Sequence, residues 1–334
     1  GLASKPRSNG RSVYTRRNEK WNRLADIAGD TGMSLTVASY LAGIPPGNKN
    51  PEKPAIIVNF IEGVWRCGDE GTIVTDYNPV DADVAVVQGF VHNNSKNTPH
   101  LKLRKAVFDK QQTDNKRSII VDSNLFLYAD KGNTNKFLRY SYDGVFPNTG
   151  EYCNDTPDPA RWDLISKRLD IQLKPWKKTG KNILICCQRD GGWSMNGKML
   201  IPWLVKTIDQ IKKVSNRNIV VRFHPGDKNI LAHKRMLARY KKANVTVSQA
   251  DNLLQDFVDA YCVVNFNSSP AVAAAIEGIP TIVLDPNRSQ AADVSCHSLT
   301  DIENLQEFDR EFWVQRMAQM HWTLDELKDG TAWK

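Results

Sequence analysis

The sequence predicts an α/β protein of two Rossmann-like, doubly wound domains that face a central cleft. Three observations carry that expectation. The chain has 334 residues, more than a single hydrophobic core usually organises. Between residues 183 and 284, five apolar strand candidates alternate with four helix candidates, the pattern of a parallel sheet buried on both faces. Short β-branched runs separated by polar segments recur in the first half.

The first 23 residues form a basic arm. Lys5, Arg7, Arg11, Arg16, Arg17, Lys20 and Arg23 stand against Glu19 alone, so the arm carries +6 in a chain whose net charge is +8. Such a cluster attracts polyanions by Coulomb attraction and counterion release, and Tyr14 and Trp21 could stack on bases. Arg11, Arg16, Arg17 and Lys20 are therefore nucleic-acid-binding candidates, with a solvated tail as the alternative.

Residues 24–175 are assigned to an acceptor-side domain. Trp21, Leu24, Ile27, Leu35, Val37 and Leu41 recur at near-helical spacing, interrupted by Gly29 and Gly32, and the Pro- and Gly-rich stretch from Gly43 to Pro54 ends any helix. Strands are expected at Ala55 to Phe60, Val84 to Gln88 and Ser118 to Val121. Pro147, Pro157, Pro159 and Pro175 punctuate the next segment. A second basic block follows, with Lys167, Arg168, Lys174, Lys177, Lys178 and Lys181, so the domain boundary is placed near Pro175.

Residues 176–300 form the second domain. Its strands are expected at Ile183 to Cys187, Ile219 to Phe223, Val245 to Val247, Cys262 to Asn265 and Thr281 to Leu284. Helices are expected at Lys198 to Val214, Ile230 to Lys242, Asn252 to Asp259 and Pro270 to Glu277. Residues 301–334 are expected to be helical, packing back across the domains through Phe308, Phe312, Trp313, Met317, Met320 and Trp322.

Composition excludes several classes. With 41% hydrophobic and 25% charged residues, the chain is neither a disordered polymer nor a disulfide miniprotein. No apolar run approaches the roughly 20 residues that cross a bilayer, so a soluble, cytoplasmic protein without membrane insertion is expected. The six cysteines form no C-x-x-C pair and the six histidines show no ligand spacing, so no metal site is expected. Asp81 and Asp83 precede a strand and are read as a turn.

Ligands of doubly wound sheets bind beyond the carboxyl ends of the strands. There the sequence offers Gln188, Arg189 and Ser194 after the first strand of the second domain, and His224 after the next. Ser268 and Ser269 stand before Pro270 at a helix start. An arginine, a histidine and a serine-flanked helix start describe a phosphate-binding crevice. Each has a plainer reading: Arg189 paired with Asp190, His224 bonded within its turn, Ser269 as a helix cap. Neither G-x-G-x-x-G nor G-x-x-x-x-G-K-[ST] occurs, which excludes dinucleotide and P-loop fingerprints.

The runs Ile183-Leu-Ile-Cys-Cys-Gln-Arg, Val221-Arg-Phe-His-Pro-Gly, Asn267-Ser-Ser-Pro and Ala274-Ala-Ile-Glu-Gly-Ile-Pro resemble the donor domain of GT-B glycosyltransferases. The pattern is similar to capsule-polysaccharide (Kdo-transferase-like) and sialyltransferase-like enzymes, over about residues 180 to 285. A basic chain of this size also looks like the DNA-base glycosyltransferases of bacteriophages. The resemblance implies a nucleotide-sugar co-substrate, UDP- or CMP-linked, with no other cofactor. It also implies phosphate contacts from His224, Ser268 and Ser269, and a helix end at Glu277 behind the donor. Ser269 stands where a retaining enzyme of the E-x7-E pattern has its first glutamate, which favours inversion.

Direct displacement needs a base on the acceptor side. Asp122, directly after a strand, is the first candidate. Asp69 and Glu70, in a Gly-flanked loop expected to follow the Ala55 to Phe60 strand, come next. The favoured acceptor is a hydroxymethylated base in double-stranded DNA, which accounts for the arm and the net charge. A capsule or lipopolysaccharide glycan is the alternative acceptor, and a non-catalytic nucleic-acid-binding module is the alternative class.

Overall fold

A computed structural model describes residues 34–44, 52–89, 98–147, 150–151, 156–191 and 193–334. Arg11, Arg16, Arg17 and Lys20, with the rest of the basic arm, lie outside the described residues. Two mainly parallel sheets organise the remainder.

The first sheet has six strands. In chain order the first half comprises β1 (Thr36–Tyr40), α1 (Glu52–Arg66), β2 (Glu70–Val74), β3 (Val84–Gln88) and α2 (Pro99–Thr113), then β4 (Arg117–Asp122), β5 (Phe137–Tyr142) and α3 (Pro159–Leu169). Strands β2, β1, β3 and β4 run parallel in that spatial order, and β5 turns back antiparallel beside β4.

Two expectations for this half are corrected. Residues 36–40 are strand, not helix: β1 lies between β3 and β2, and Val37, Ala38, Ser39 and Tyr40 are all buried, so both faces are covered. A central strand lacks alternation, and its apolar residues then mimic helical spacing. Conversely, Ala55 to Phe60 is helix, inside α1. Ile56, Ile57, Phe60, Ile61 and Val64 bury one stripe at helical spacing, and Pro54 sits in the first turn, where its missing N–H costs nothing.

The second sheet forms where the sequence places it. Its elements are β6 (Asn182–Cys186), α4 (Leu200–Lys212), β7 (Ile219–Arg222), α5 (Ile230–Arg239), β8 (Val245–Val247), α6 (Leu253–Phe257), β9 (Ala260–Asn265), α7 (Pro270–Ile276) and β10 (Thr281–Val283). All five strands are parallel in the order β10-β9-β6-β7-β8. Progression runs outward from β6 through β7 to β8, then returns to β9 on the other side. The topological switch point therefore lies between the carboxyl ends of β6 and β9. Right-handed crossovers put α4 and α5 together on one face of this sheet.

The C-terminal segment is helical only in part. It contains α8 (Glu311–Ala318), the strand β11 (His321–Thr323) and α9 (Leu324–Lys328). Strand β11 pairs antiparallel with β5 at the edge of the first sheet, and α9 is fixed by a capping box between Thr323 and Glu326. Arg161 of α3 braces this return: it is buried, forms an ion pair with Glu326 and donates to the carbonyl of His321. One hydrophobic cluster joins Phe126, Trp162 and Ile165 to Ala271 and Val272 of α7 and to Trp313 and Met317 of α8, so the first half, the second sheet and the C-terminal return share a core.

Candidate functional site

A cavity of about 190 Å³ opens at the carboxyl ends of β6, β7 and β9. Cys186, Cys187, Arg222, Phe223, His224 and Pro225 line one side of it, and Ser268, Ser269, Pro270 and Ala273 another. The first half closes it with Leu125, Leu127, Tyr128 and Lys131, from the loop after β4. Among the described residues, none that lines it carries a carboxylate, whereas Lys131, Arg222, His224 and two serines do line it, so the wall suits an anion.

His224 and Ser269 therefore meet on one cavity. The His224 Nδ1 accepts the Gly226 N–H (2.8 Å), which leaves the ring proton of the neutral form on Nε2. Burial, and then the nearby Arg189 charge, push the His224 pKa down, so the neutral form is favoured. Arg189 comes from the loop after β6 and lies over Gly226: a Cβ there would stand 2.5 Å from its guanidinium. The loops after β6 and β7 thus interlock, and only a glycine leaves that room.

Ser269 makes no side-chain capping bond, so its hydroxyl is not consumed by the helix it precedes. Ser268 Oγ accepts a hydrogen bond from Asn265 Nδ2 (3.2 Å). Gln188 is buried and acts as a strut. Its amide oxygen accepts the Asn267 N–H (2.9 Å), and its Nε2 donates to Asn267 Oδ1 (2.9 Å) and Ser194 Oγ (3.0 Å). Gln188 and Ser194 thereby hold the Asn267–Ser269 turn and are not themselves on the cavity wall. Asn267, which sequence reasoning did not single out as a site residue, completes the strut by donating to Asp285 (2.9 Å).

Glu277 lies at the far end of α7, pairing with Lys174 and accepting from Tyr128 (3.3 Å). Burial, then the Glu277 charge, raise the Tyr128 pKa, so this cavity tyrosine stays protonated. The sequence offered no signal for Tyr128 or Lys131, which arrive from the other half of the chain.

On the acceptor side, Asp122 ends β4, at the carboxyl end of the first sheet. It forms an ion pair with Arg139 (3.1 Å) and accepts the Ser123 N–H. Asp69 and Glu70 are not brought to the cleft. Because residues 52–66 are helix, the following loop leads into β2 at the amino end of the sheet, where Asp69 accepts from Leu35 N–H (2.9 Å) and from Trp333 Nε1 (2.7 Å). Glu70 is paired in register with Thr36 at that same end.

The cavity loop is held from behind by His321. Its Nε2 accepts the Leu125 N–H (3.1 Å), and its Nδ1 donates to the Met317 carbonyl (2.8 Å). Cys186, Cys187, Cys262 and Cys296 are buried free thiols. Burial pushes the Cys186 thiol up to about 12, so the cavity thiol is not a thiolate nucleophile at neutral pH. Among the described residues, no group of three or more His, Cys, Asp or Glu could hold a metal ion, and no helix is long and apolar enough to cross a membrane.

The chain is structurally similar to KpsC, beta Kdo 2,4 transferase, of Thermosulfurimonas dismutans, with 11% identity and a TM-score of 0.51 over 89% of this chain and 98% of that one. It is also similar to KpsC, beta Kdo 2,7 transferase, of the same organism, with 11% identity and a TM-score of 0.50 over 90% of this chain and all of that one. The fold is GT-B. No protein-family model and no curated protein matches the sequence. At 11% identity the likeness fixes the architecture, and in a GT-B architecture the cavity at the carboxyl ends of β6, β7 and β9 opens towards the first half through the loop that carries Tyr128 and Lys131.

Proposed function

We propose that this GT-B protein is a glycosyltransferase that binds a nucleotide sugar in this cavity and transfers the sugar to a hydroxyl acceptor. The observation that carries the reading is the meeting of His224, Ser268 and Ser269 on one cavity at the carboxyl ends of the second sheet. In the reaction the donor's anomeric carbon–oxygen bond breaks and the phosphate leaves with increasing negative charge. The Nε2–H of His224 and the serine hydroxyls would stabilise that charge without the protein having to reorganise, with the Arg189 guanidinium adding its charge from beside His224, off the cavity wall. Asp122 is proposed as the base that takes the acceptor proton, with Arg139 holding its carboxylate in place. Direct attack of this kind inverts the anomeric centre.

The acceptor is proposed to be a glycan of the capsule type, in keeping with the fold likeness to the two Kdo transferases. Four of the six cations of the second basic block are engaged within the protein, Arg168 with the Asn135 carbonyl among them. Lys174 pairs with Glu277, Lys178 pairs with Glu307, and Lys177 donates to the carbonyls of Phe257 and Val258. A second reading, a hydroxymethylated base in duplex DNA, is favoured by a different observation: the +6 arm within a chain of net charge +8.

Nucleotide release from UDP- and CMP-linked sugars, measured with Kdo-terminated oligosaccharides and with hydroxymethylated duplex DNA, tests both readings. Release and sugar transfer to the oligosaccharide are expected. Transfer to DNA alone would establish the second reading, and no transfer to either would remove the proposed activity.

A further inference from the structure

The positive charge of the folded part of the chain has a location that the arm does not account for. Residues 198–242 contain twelve Lys and Arg against two Asp and Glu, a local charge of +10 that exceeds the +8 of the whole chain. This stretch is α4, β7 and α5, and the two helices pack side by side on one face of the second sheet. Their inner faces are buried through Leu200, Leu204, Ile208 and Ile211 of α4 and through Leu237 and His233 of α5, the histidine held by Asp227. Their outer faces point to solvent.

Four of the twelve cations are engaged within the protein. Arg217 pairs with Glu303, Arg222 with Asp256 and Lys242 with Asp209, and Lys212 donates to a carbonyl. Both acidic residues of the stretch are also committed, Asp209 to Lys242 and Asp227 to the buried His233. Eight cations remain outside any ion pair among the described residues. They include Lys206 and Lys213 on α4 and its C-terminal end, and Arg235 and Arg239 one turn apart on α5. All four are exposed. Lys198 and Lys228 precede the two helices, at the carboxyl end of the sheet where the cavity opens.

We propose that the outer face of α4 and α5 binds the phosphate backbone of duplex nucleic acid. A partner with one charge per roughly 1.7 Å of axis suits a face about 20 Å long, the length of a 13-residue helix, that carries cations and no free carboxylate. Exposed Leu231, Met236 and Tyr240 lie between the cations of α5, which makes an anionic lipid surface the competing partner. Eight unpaired cations outnumber the five exposed large apolar residues of the stretch, Met199 and Val214 at the ends of α4 and the three of α5, so the charge decides for nucleic acid. The face stands apart from the donor cavity. It rests on the proposed activity only in that it would present DNA, the acceptor of the second reading, beside the mouth of that cavity.

The test is binding of the full chain to a fluorescent 20-base-pair duplex over a salt series, for the unmodified protein and for the variant K206Q/K213Q/R235Q/R239Q. Each lost phosphate contact weakens binding about fivefold at 0.15 M salt and lowers the log–log salt slope by about one. The variant is expected to lose a slope of about four while keeping its melting temperature and its nucleotide affinity. An unchanged slope would overturn the proposal by assigning all binding to the arm. Binding to phosphatidylglycerol vesicles without binding to DNA would overturn it in favour of a lipid surface. If nucleotide sugars prove not to bind while the slope still falls, the donor reading fails and this face stands.

Discussion

Acidification should cost stability through one side chain, His321. It is buried, and both of its ring nitrogens are committed, Nδ1–H to the Met317 carbonyl and Nε2 to the Leu125 N–H. The second bond needs an unprotonated Nε2. Burial, opposed by the Met317 bond and reinforced by the Arg139 and Arg161 charges, pushes its pKa from the ordinary 6.5 down to about 3. Between those values the unfolded chain holds one proton more than the folded chain. The stability that neutral His321 contributes is therefore complete above about pH 6.5 and is lost, at about 1.4 kcal/mol per pH unit, as the pH falls toward 3. From pH 7 to pH 5 the loss comes to about 2 kcal/mol. Urea unfolding at both pH values, on the unmodified protein and on His321→Gln, isolates this contribution. Glutamine can still offer an oxygen to Leu125 but does not titrate, and the carboxylates common to both proteins cancel. The unmodified protein should lose about 2 kcal/mol more than the variant; equal losses would refute the assignment.

Other substitutions separate function from stability. Gly226→Ala should displace the Arg189 guanidinium, raising the donor KM about tenfold with little change in melting temperature, because the side chain it meets can swing away. Gly278→Ala should instead destabilise the fold by more than about 2 kcal/mol in urea unfolding, since its Cβ would stand 2.2 Å from the Pro175 carbonyl at φ +79°. Arg161→Ala should cost about 3–5 kcal/mol, read the same way, because Glu326 is left without its buried partner. Asp122→Asn should lower kcat about 10²–10⁴-fold with the donor KM unchanged, and an unchanged kcat would remove Asp122 as the base.

The second sheet was legible because its strands are short, continuous apolar runs and its two long helices, α4 and α5, are amphipathic. The cavity residues could then be found by reading just past the strand ends. The first half resisted for reasons that lie in particular segments. The run from Ala55 to Phe60 is apolar enough for either element, and only its continuation through Ile61 and Val64 fixes a helix. Reading it as strand moved Asp69 and Glu70 to the wrong end of the sheet. Strand β11 pairs with β5 across about 180 residues of chain, a contact that no local pattern announces. Tyr128 and Lys131 reach the cavity only because the two halves close on each other. The charge of α4 and α5 was hidden in plain composition, being split between two helices and the strand that separates them.

Isothermal titration of the full chain with UDP and with CMP, alongside the His224→Ala/Ser269→Ala variant, tests the central assignment most directly. One of the two nucleotides should bind at a single site, and the variant should bind it at least tenfold more weakly with an unaltered melting temperature. Absence of binding by both nucleotides, or equal affinity in protein and variant, would contradict the placement of a donor phosphate between His224 and Ser269.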